Sequence, residues 1–267
     1  MKLVKKSAEP ISLTGYRDHN PGQNWDGMSN DGLNDGPLAV KDCRRQALTD
    51  QGGLCAYCEC KIDVALPGKC RVEHFHPKSD TSTATNWNLE WSNMLATCLG
   101  GERTPHNLYP LPENLSCDAH KNHVLDKSKG KSAECDGWIL NPLEIPSHVN
   151  LFSLNKRNGF LVPNEEACSL IPEFPGNKHK STKELINNTI NVLNLNCDRL
   201  AELRREVIIN IEKNIKTMRV RHVRREDVPQ KLIERYFNEH WPEFFTTIRC
   251  CIPDVVEPYL KSISYAG

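Results

Sequence analysis

The sequence predicts an α+β protein that is mainly helical, in which helical extensions follow a small metal-stabilised module. Two observations indicate this class. Closely spaced cysteines and an acidic-histidine pair concentrate between residues 55 and 121. From Leu200 to Met218, by contrast, apolar residues recur every three or four positions, which is typical of a helix with one face on a core.

Composition favours a cytoplasmic globular protein. The chain has 267 residues, 38% hydrophobic and 25% charged, which is ordinary for a soluble domain with a substantial core. No apolar run is long enough to cross a bilayer, and no apolar stretch follows the basic N-terminus, so we expect neither a membrane span nor a signal peptide. Without secretion, the twelve cysteines favour reduced thiols and metal binding over disulfides.

Residues 1–36 are rich in glycine, asparagine, aspartate and proline. These turn formers predict an extended N-terminal arm with little regular structure. Tyr16 and Trp25 could pack this arm on the core, or the arm could dock on a partner. A first helix is expected at about residues 37–50, ending at Gly52-Gly53, and it opens a module that we place at residues 37–125.

The rest of the chain divides into a connector, residues 126–180, and a helical region, residues 181–267. Prolines make the connector loop-rich, and two apolar segments on either side of Asn155–Gly159 predict a short hairpin. In the last region a capping box at Ser181–Glu184 precedes apolar-periodic segments. Helices are expected at about residues 182–193, 197–223, 230–238 and 242–250.

A set of cysteines in the module has the spacing of a zinc site. The four candidate ligands are Cys55, Cys58, Cys98 and Cys117. Tetrahedral structural zinc is often held by four thiolates, which here would join a hairpin to the helix at whose end we place Cys98. His120 is the main rival for the fourth position, and Cys60 and Cys135 are weaker candidates. The alternative interpretation is a group of buried core thiols.

An acidic-histidine pair, Glu73-His74, follows the cysteine pair closely. Metal-assisted phosphodiester hydrolysis needs a divalent ion, a base for the water and a group that orients the base. His74 can be the base, and the side-chain carbonyl of Asn88 or Asn93 can hold its imidazole. Glu73 and Asp118 are the best oxygen ligands for magnesium or manganese. Because neighbours on a strand point to opposite faces, Glu73 and His74 share a site only if the strand ends or twists there.

These residues together resemble the HNH endonucleases, of the retron-associated and Septu (PtuB-like) type. The resemblance rests on five segments and covers roughly residues 1–210. The segments are residues 53–59, Val72–Ser79, Leu89–Leu95, Cys98 and Cys117–Lys121. It implies a zinc-stabilised ββα-metal (HNH) module in which His74 is the general base, Asn93 the middle asparagine and Asp118 the third motif position. The chain departs from the compact pattern because eighteen residues separate Cys98 from Cys117.

The resemblance also implies partners. Septu-type nucleases act with a PtuA-like ATPase, and some retrons add a reverse transcriptase and its RNA–DNA product. The sequence contains no Gly-x4-Gly-Lys-Ser/Thr loop of its own, so nucleotide hydrolysis would come from such a partner. A formal net charge of zero agrees with this, because proteins that hold nucleic acid alone are usually basic.

Four basic residues are candidate phosphate contacts: Lys78, Lys121, Arg204 and Arg205. The last two lie in residues 199–225, which contain nine lysines or arginines and three glutamates. Instead of binding phosphate, these basic residues could form a solvated helix face or bind an acidic partner.

The function predicted from these observations is a metal-dependent endonuclease acting on DNA in anti-phage defence. Two other functions stay open, namely cleavage of RNA such as tRNA and a zinc-knuckle binding module without chemistry.

Overall fold

The computed structural model describes residues 1–62, 68–125, 135–238 and 241–267. These ranges contain ten α-helices, two short 3-10 helices (Trp91–Asn93 and Arg225–Asp227) and four short strands. The helices are α1 (Ile11–His19), α2 (Trp25–Asn30), α3 (Gly36–Asp50), α4 (Cys117–Val124), α5 (Glu165–Leu170), α6 (Thr182–Val192), α7 (Asp198–Val220), α8 (Val228–Phe237), α9 (Phe245–Cys251) and α10 (Pro253–Ser262). The strands are β1 (Arg71–His74), β2 (Met94–Thr97), β3 (Phe152–Asn155) and β4 (Phe160–Pro163). The predicted α+β, mainly helical class is confirmed.

The N-terminal segment differs from the predicted arm, because α1 and α2 lie within it. The turn-forming residues serve as helix boundaries here. Pro10 precedes α1, and the Asn24 side chain accepts a hydrogen bond from Gly27 N at 2.7 Å, which caps α2. Buried Tyr16 and Met28 then fix the two helices on the core, so burial of a few apolar residues outweighs a composition that favours turns.

The central module pairs β1 with β2 in antiparallel register, His74 opposite Met94 and Glu73 opposite Leu95. Every residue of β2 is buried. The prediction of a helix ending at Cys98 is therefore wrong, because the four residues before Cys98 form a strand. A long loop then leads to α4, which begins at Cys117. The four candidate zinc ligands thus come from a turn, the end of a strand and the start of a helix.

The hairpin prediction is confirmed by β3 and β4, and the predicted helices correspond to α3, α6, α7, α8 and α9. Helix α10 was not predicted, because its two prolines are helix-breaking signals. Pro253 lies at the start of the helix, where a missing N–H costs nothing, and Pro258 lies inside it. Val256 and Leu260 bury one face of α10, which explains why the helix persists.

Two apolar cores lie along the described chain. The larger one combines the N-terminal helices, the module, the hairpin, α6 and the first turn of α7. The smaller one gathers α8, α9 and α10 around the middle of α7, near Ile211. Helix α7 therefore connects the module to the C-terminal helices.

The division into four regions stays a prediction, and residues 126–134 of the predicted connector lie outside the described residues. None of the described helices combines the length and apolar character needed to cross a membrane.

Candidate active site and metal centre

Four cysteine sulfurs converge at one point of the module. Cys55 and Cys58 come from the turn after α3, Cys98 follows β2, and Cys117 begins α4. All four sulfurs lie within 4.8 Å of one another. The separations are 3.8 Å for Cys55–Cys117, 3.7 Å for Cys58–Cys98 and 3.8 Å for Cys98–Cys117. Four sulfurs at 2.3 Å from a tetrahedral zinc ion would be about 3.8 Å apart, so the cluster could hold a metal such as zinc.

The rival fourth ligand, His120, points elsewhere. Its Nδ1 lies 2.8 Å from the carbonyl oxygen of Val192, while Cys117 completes the sulfur group. The three neighbouring thiols and burial together raise the pKa of Cys117 well above its ordinary value. Four thiolates this close repel one another, so a bound cation is needed to keep all of them deprotonated. This donor set suits a structural metal site with no open position.

A pocket of about 340 Å³ lies between the end of β1 and α4. Five predicted site residues line it: Glu73, His74, Lys78, Asp118 and Lys121. Strand β1 ends at His74, so the two neighbouring side chains reach the same pocket although strand geometry alone would separate them. The predicted base, His74, and the predicted oxygen ligands, Glu73 and Asp118, are therefore brought together in one pocket. The end of β1 supplies the first two, and α4, from a distant part of the chain, supplies Asp118.

His74 is held by a main-chain group rather than by an asparagine side chain. Its Nε2 lies 2.9 Å from the carbonyl oxygen of Asn88, and a carbonyl can only accept, so Nε2 carries the proton and Nδ1 keeps a lone pair. The Trp25 and His74 rings pack in a T-shaped arrangement, with ring centroids 5.0 Å apart and an angle of 74° between their planes. Burial lowers the pKa of His74 to about 4, which keeps the ring neutral at physiological pH.

In the described structure the Asn93 side chain makes no hydrogen bond to the His74 ring. Its Oδ1 accepts from the main-chain N–H of His76 at 2.6 Å. Its Nδ2 donates to the carbonyls of His76 and Trp87, both at 3.0 Å. All the groups that Asn93 contacts belong to one loop, so the side chain fixes the shape of the loop that positions Asn88.

Two buried carboxylates lie in the pocket. Glu73 is 6% exposed and forms an ion pair with Lys121, and its Oε1 also accepts from the Tyr57 hydroxyl at 3.3 Å. Asp118 is 5% exposed and accepts from Asn122 Nδ2 at 2.7 Å. Burial raises the pKa of Asp118 and lowers the pKa of Lys121. Both shifts show that the pocket is poorly solvated, which strengthens any electrostatic interaction inside it.

The predicted phosphate contacts separate into exposed and buried residues. Lys78 keeps a half-exposed side chain near Asp26, at 3.4 Å, and Arg205 is exposed. Lys121 is buried in its pair with Glu73. Arg204 is 1% exposed, and its guanidinium donates to the carbonyls of Gly159 and Leu195. Arg204 is therefore no surface contact for phosphate: the helical periodicity places it on the inner face of α7, which its charge alone did not reveal.

Three groups at the site were not predicted. Trp25 had no sequence signal for a contact with His74, because it comes from a segment that was expected to be an arm. The Asn88 carbonyl is a main-chain group that no motif reports. His76 lies in the motif, but the sequence analysis assigned it no role. Its Nδ1 lies 2.6 Å from Asp136 Oδ2 and its Nε2 lies 2.8 Å from Asp80 Oδ2. His76 therefore joins the loop between β1 and β2 to the segment that follows the module.

Comparison with known proteins identifies the family of the chain. No family model matches the chain. The chain is 37% identical over 250 residues to the HNH endonuclease named for retron Ec83 of Escherichia coli, covering 93% of the chain and 92% of that protein. It is 29% identical over 170 residues to the HNH endonuclease named for retron Vc95 of Vibrio cholerae, covering 57% of the chain and 76% of that protein. The chain belongs to the family of retron HNH endonucleases, hydrolases that act on the phosphodiester bonds of nucleic acids.

Proposed function

We propose that this protein is a metal-dependent endonuclease that cleaves DNA in a retron-type anti-phage defence system. The observation that carries the proposal is the pocket shared by Glu73, His74 and Asp118 beside the cluster of four cysteines. The names of the two relatives support the retron context. The specific resemblance to PtuB-like nucleases of Septu systems adds the expectation of a PtuA-like ATPase that controls the nuclease.

His74 is the proposed general base. The Asn88 carbonyl fixes the tautomer in which Nδ1 can accept a proton from water. Because burial lowers the pKa of His74 to about 4, the ring is unprotonated and ready to act near neutral pH. Asn93 acts through the loop: by bonding both main-chain groups of His76 and the carbonyl of Trp87, it keeps the Asn88 carbonyl in place.

Glu73 and Asp118 are the proposed ligands of a catalytic magnesium or manganese ion. Their oxygens fit such an ion because both carboxylates are buried and need compensating charge. Lys121 supplies that charge to Glu73, whereas Asp118 accepts a hydrogen bond from the neutral amide of Asn122. An ion held here would polarise the scissile phosphate and stabilise the leaving oxygen.

Cys55, Cys58, Cys98 and Cys117 are the proposed ligands of a structural zinc ion in a ββα-metal module. These four residues join the turn after α3, the end of β2 and the start of α4. The zinc ion would therefore hold α4, which carries Asp118 and Lys121, against the strand that carries Glu73 and His74. In this proposal zinc does no chemistry, and the geometry of the pocket depends on it.

The nucleic acid is proposed to enter past Lys78, at the rim of the pocket. A second basic surface lies on the last third of α7 and the turn after it. Between residues 213 and 225 there are six lysines or arginines and no acidic residue, and all six are exposed. They are Lys213, Lys216, Arg219, Arg221, Arg224 and Arg225. Together with Arg205 they offer a stripe that can follow a phosphate backbone.

The experiment that tests this function compares supercoiled plasmid and tRNA as substrates, with magnesium, with and without an ATPase partner. We expect cleavage of plasmid by the unaltered chain and none by His74→Ala, which should still bind zinc. Cleavage of tRNA alone would support the RNA alternative, in which a retron reverse transcriptase and its RNA–DNA product are the natural partners. Nucleic-acid cleavage that persists unchanged in zinc-loaded His74→Ala would contradict the catalytic role.

A further inference from the structure

Two arginines of α7, Arg199 and Arg204, are buried without a carboxylate at ion-pair distance anywhere in the described ranges. Arg199 is 8% exposed and Arg204 is 1% exposed. Every hydrogen-bond partner recorded for their guanidinium groups is neutral: Ser116 Oγ for Arg199 and the carbonyls of Gly159 and Leu195 for Arg204. Burying a full positive charge without a counter-charge costs several kcal/mol. Something anionic near both residues must offset that cost.

Arg199 lies between the two segments that deliver Cys98 and Cys117. Its Nη2 donates to Ser116 Oγ at 2.7 Å, and Ser116 directly precedes Cys117. On the other side it touches the loop after Cys98, where a Cβ added at Gly101 would lie 3.0 Å from Arg199 Nε. That Nε is buried and has no hydrogen-bond partner. The guanidinium therefore lies between the segments that carry Cys98 and Cys117, with a donor that no described acceptor uses.

Arg204 follows Arg199 by about 1.4 turns of the same helix. Its guanidinium donates to the carbonyl of Leu195, in the turn whose Leu193 carbonyl accepts from Cys117 N at 2.8 Å. Burial lowers the pKa of Arg204, and Cys58 is the largest of the charges that oppose this effect. Glu59 opposes it less, and the Glu59 carboxylate already accepts from Thr246 N at 2.8 Å and lies 3.4 Å from the amino group of Met1. Arg204 therefore supports the turn that binds the main chain of Cys117, and no carboxylate lies at ion-pair distance from its guanidinium among the described residues.

We propose that Arg199 and Arg204 are the counter-charges of the metal-bound cysteine cluster. The proposal rests on the zinc site of the proposed function. One zinc ion with four thiolates carries a net charge of −2, and two guanidinium groups carry +2, so the buried assembly is neutral as a whole. The two arginines are positioning residues that stabilise the thiolate form of the cluster, and they join α7 to the metal centre electrostatically.

Zinc affinity measured by competition with a coloured chelator tests the proposal. Arg199→Met and Arg204→Met remove the charge while keeping an unbranched side chain. We expect each to weaken zinc binding by roughly 10- to 100-fold, as is usual for groups that support metal ligands. Arg205→Met is the matched control, since Arg205 is the exposed neighbour on the same helix, and it should leave zinc affinity unchanged. Zinc affinity that is equal in all three variants would overturn the proposal.

A double-mutant cycle with Cys98→His separates charge from shape. A site of three thiolates and one imidazole carries −1 instead of −2, and Cys98 is the least buried of the four ligands. If the arginines act as counter-charges, Arg199→Met costs several-fold less zinc affinity in the Cys98→His background than in the natural one. An equal cost in both backgrounds is the result expected of a purely structural residue, and it would refute the counter-charge role.

The lysine variants decide the matter if a methionine variant does not fold. Arg199→Lys and Arg204→Lys retain the charge but lose the planar fork, so zinc affinity should stay within a few-fold of the natural value. A loss of about tenfold or more in these variants would show that shape, and not charge, matters at these positions. If the unaltered chain takes up no zinc, the proposed zinc site itself fails, and that outcome appears before any variant is compared.

Discussion

The Asn93 side chain holds both main-chain polar groups of His76, accepting from its N–H at 2.6 Å and donating to its carbonyl at 3.0 Å. This contact closes the loop between β1 and β2 at its base. Within that loop the Asn88 carbonyl reaches the His74 ring. The asparagine of the motif therefore serves the histidine indirectly, through the shape of the backbone.

Asn93→Asp should lower the rate of cleavage by about 100-fold or more, because a 1 Å misplacement of a catalytic group has this effect. A carboxylate at this position cannot donate to the carbonyls of His76 and Trp87, so the loop loses two hydrogen bonds. Asn158→Asp is the control. The exposed side chain of Asn158 accepts from Phe160 N at 3.0 Å, which a carboxylate does equally well. Full activity of Asn93→Asp would mean that the loop holds His74 without this contact.

The His74 imidazole should titrate well below the ordinary value of 6.5. Burial lowers its pKa to about 4, so the unfolded chain binds a proton between pH 6.5 and 4 that the folded protein does not. The stability that His74 contributes is therefore complete above pH 6.5 and is lost as pH falls through 4. Histidine NMR resonances followed from pH 7 to pH 3.5, assigned with His74→Ala, measure this directly. A midpoint at or above 6.5 would show that the ring is solvated.

Lys121→Met should destabilise the protein by about 3 kcal/mol in the absence of divalent metal, because it leaves the buried Glu73 carboxylate without its ion-pair partner. If Glu73 and Asp118 bind magnesium, added magnesium should recover more stability in this variant than in the unaltered chain. Urea unfolding with and without magnesium measures both effects. Lys78→Met, at the half-exposed rim of the same pocket, should change stability little. An equal response of Lys121→Met and the unaltered chain to magnesium would argue against metal binding at Glu73.

Replacing Lys213, Lys216 and Arg219 by glutamine should weaken DNA binding and reduce its dependence on salt. If all three contact phosphates, the slope of log K against log salt should fall by about 2.7. The control replaces Lys5, Lys41 and Lys61, which are exposed on other parts of the chain. Fluorescence anisotropy with a short duplex at several salt concentrations gives both slopes. Identical slopes for the two triple variants would remove the end of α7 from the DNA-binding surface.

Some features of this protein could be predicted from local patterns. Apolar periodicity located α6 and α7, because a helix on a core needs one apolar face. The Asn155–Gly159 turn between two apolar segments located the β3–β4 hairpin. By contrast, the N-terminal segment was misjudged because turn formers also cap helices, as Asn24 does. Helix α10 was missed because its prolines are breaking signals in isolation, while burial of Val256 and Leu260 was not visible locally.

By itself, the sequence determined the chemistry available: four cysteines for a metal, a histidine beside a glutamate, and an aspartate after the last cysteine. Only the tertiary structure decided how these groups are used. It brought Cys117 rather than His120 into the sulfur cluster, put the Asn88 carbonyl on His74, and buried Arg204. The physical reason is that residue type and spacing specify which interactions are possible, whereas main-chain carbonyls, burial and the direction of a side chain exist only once distant segments have packed together.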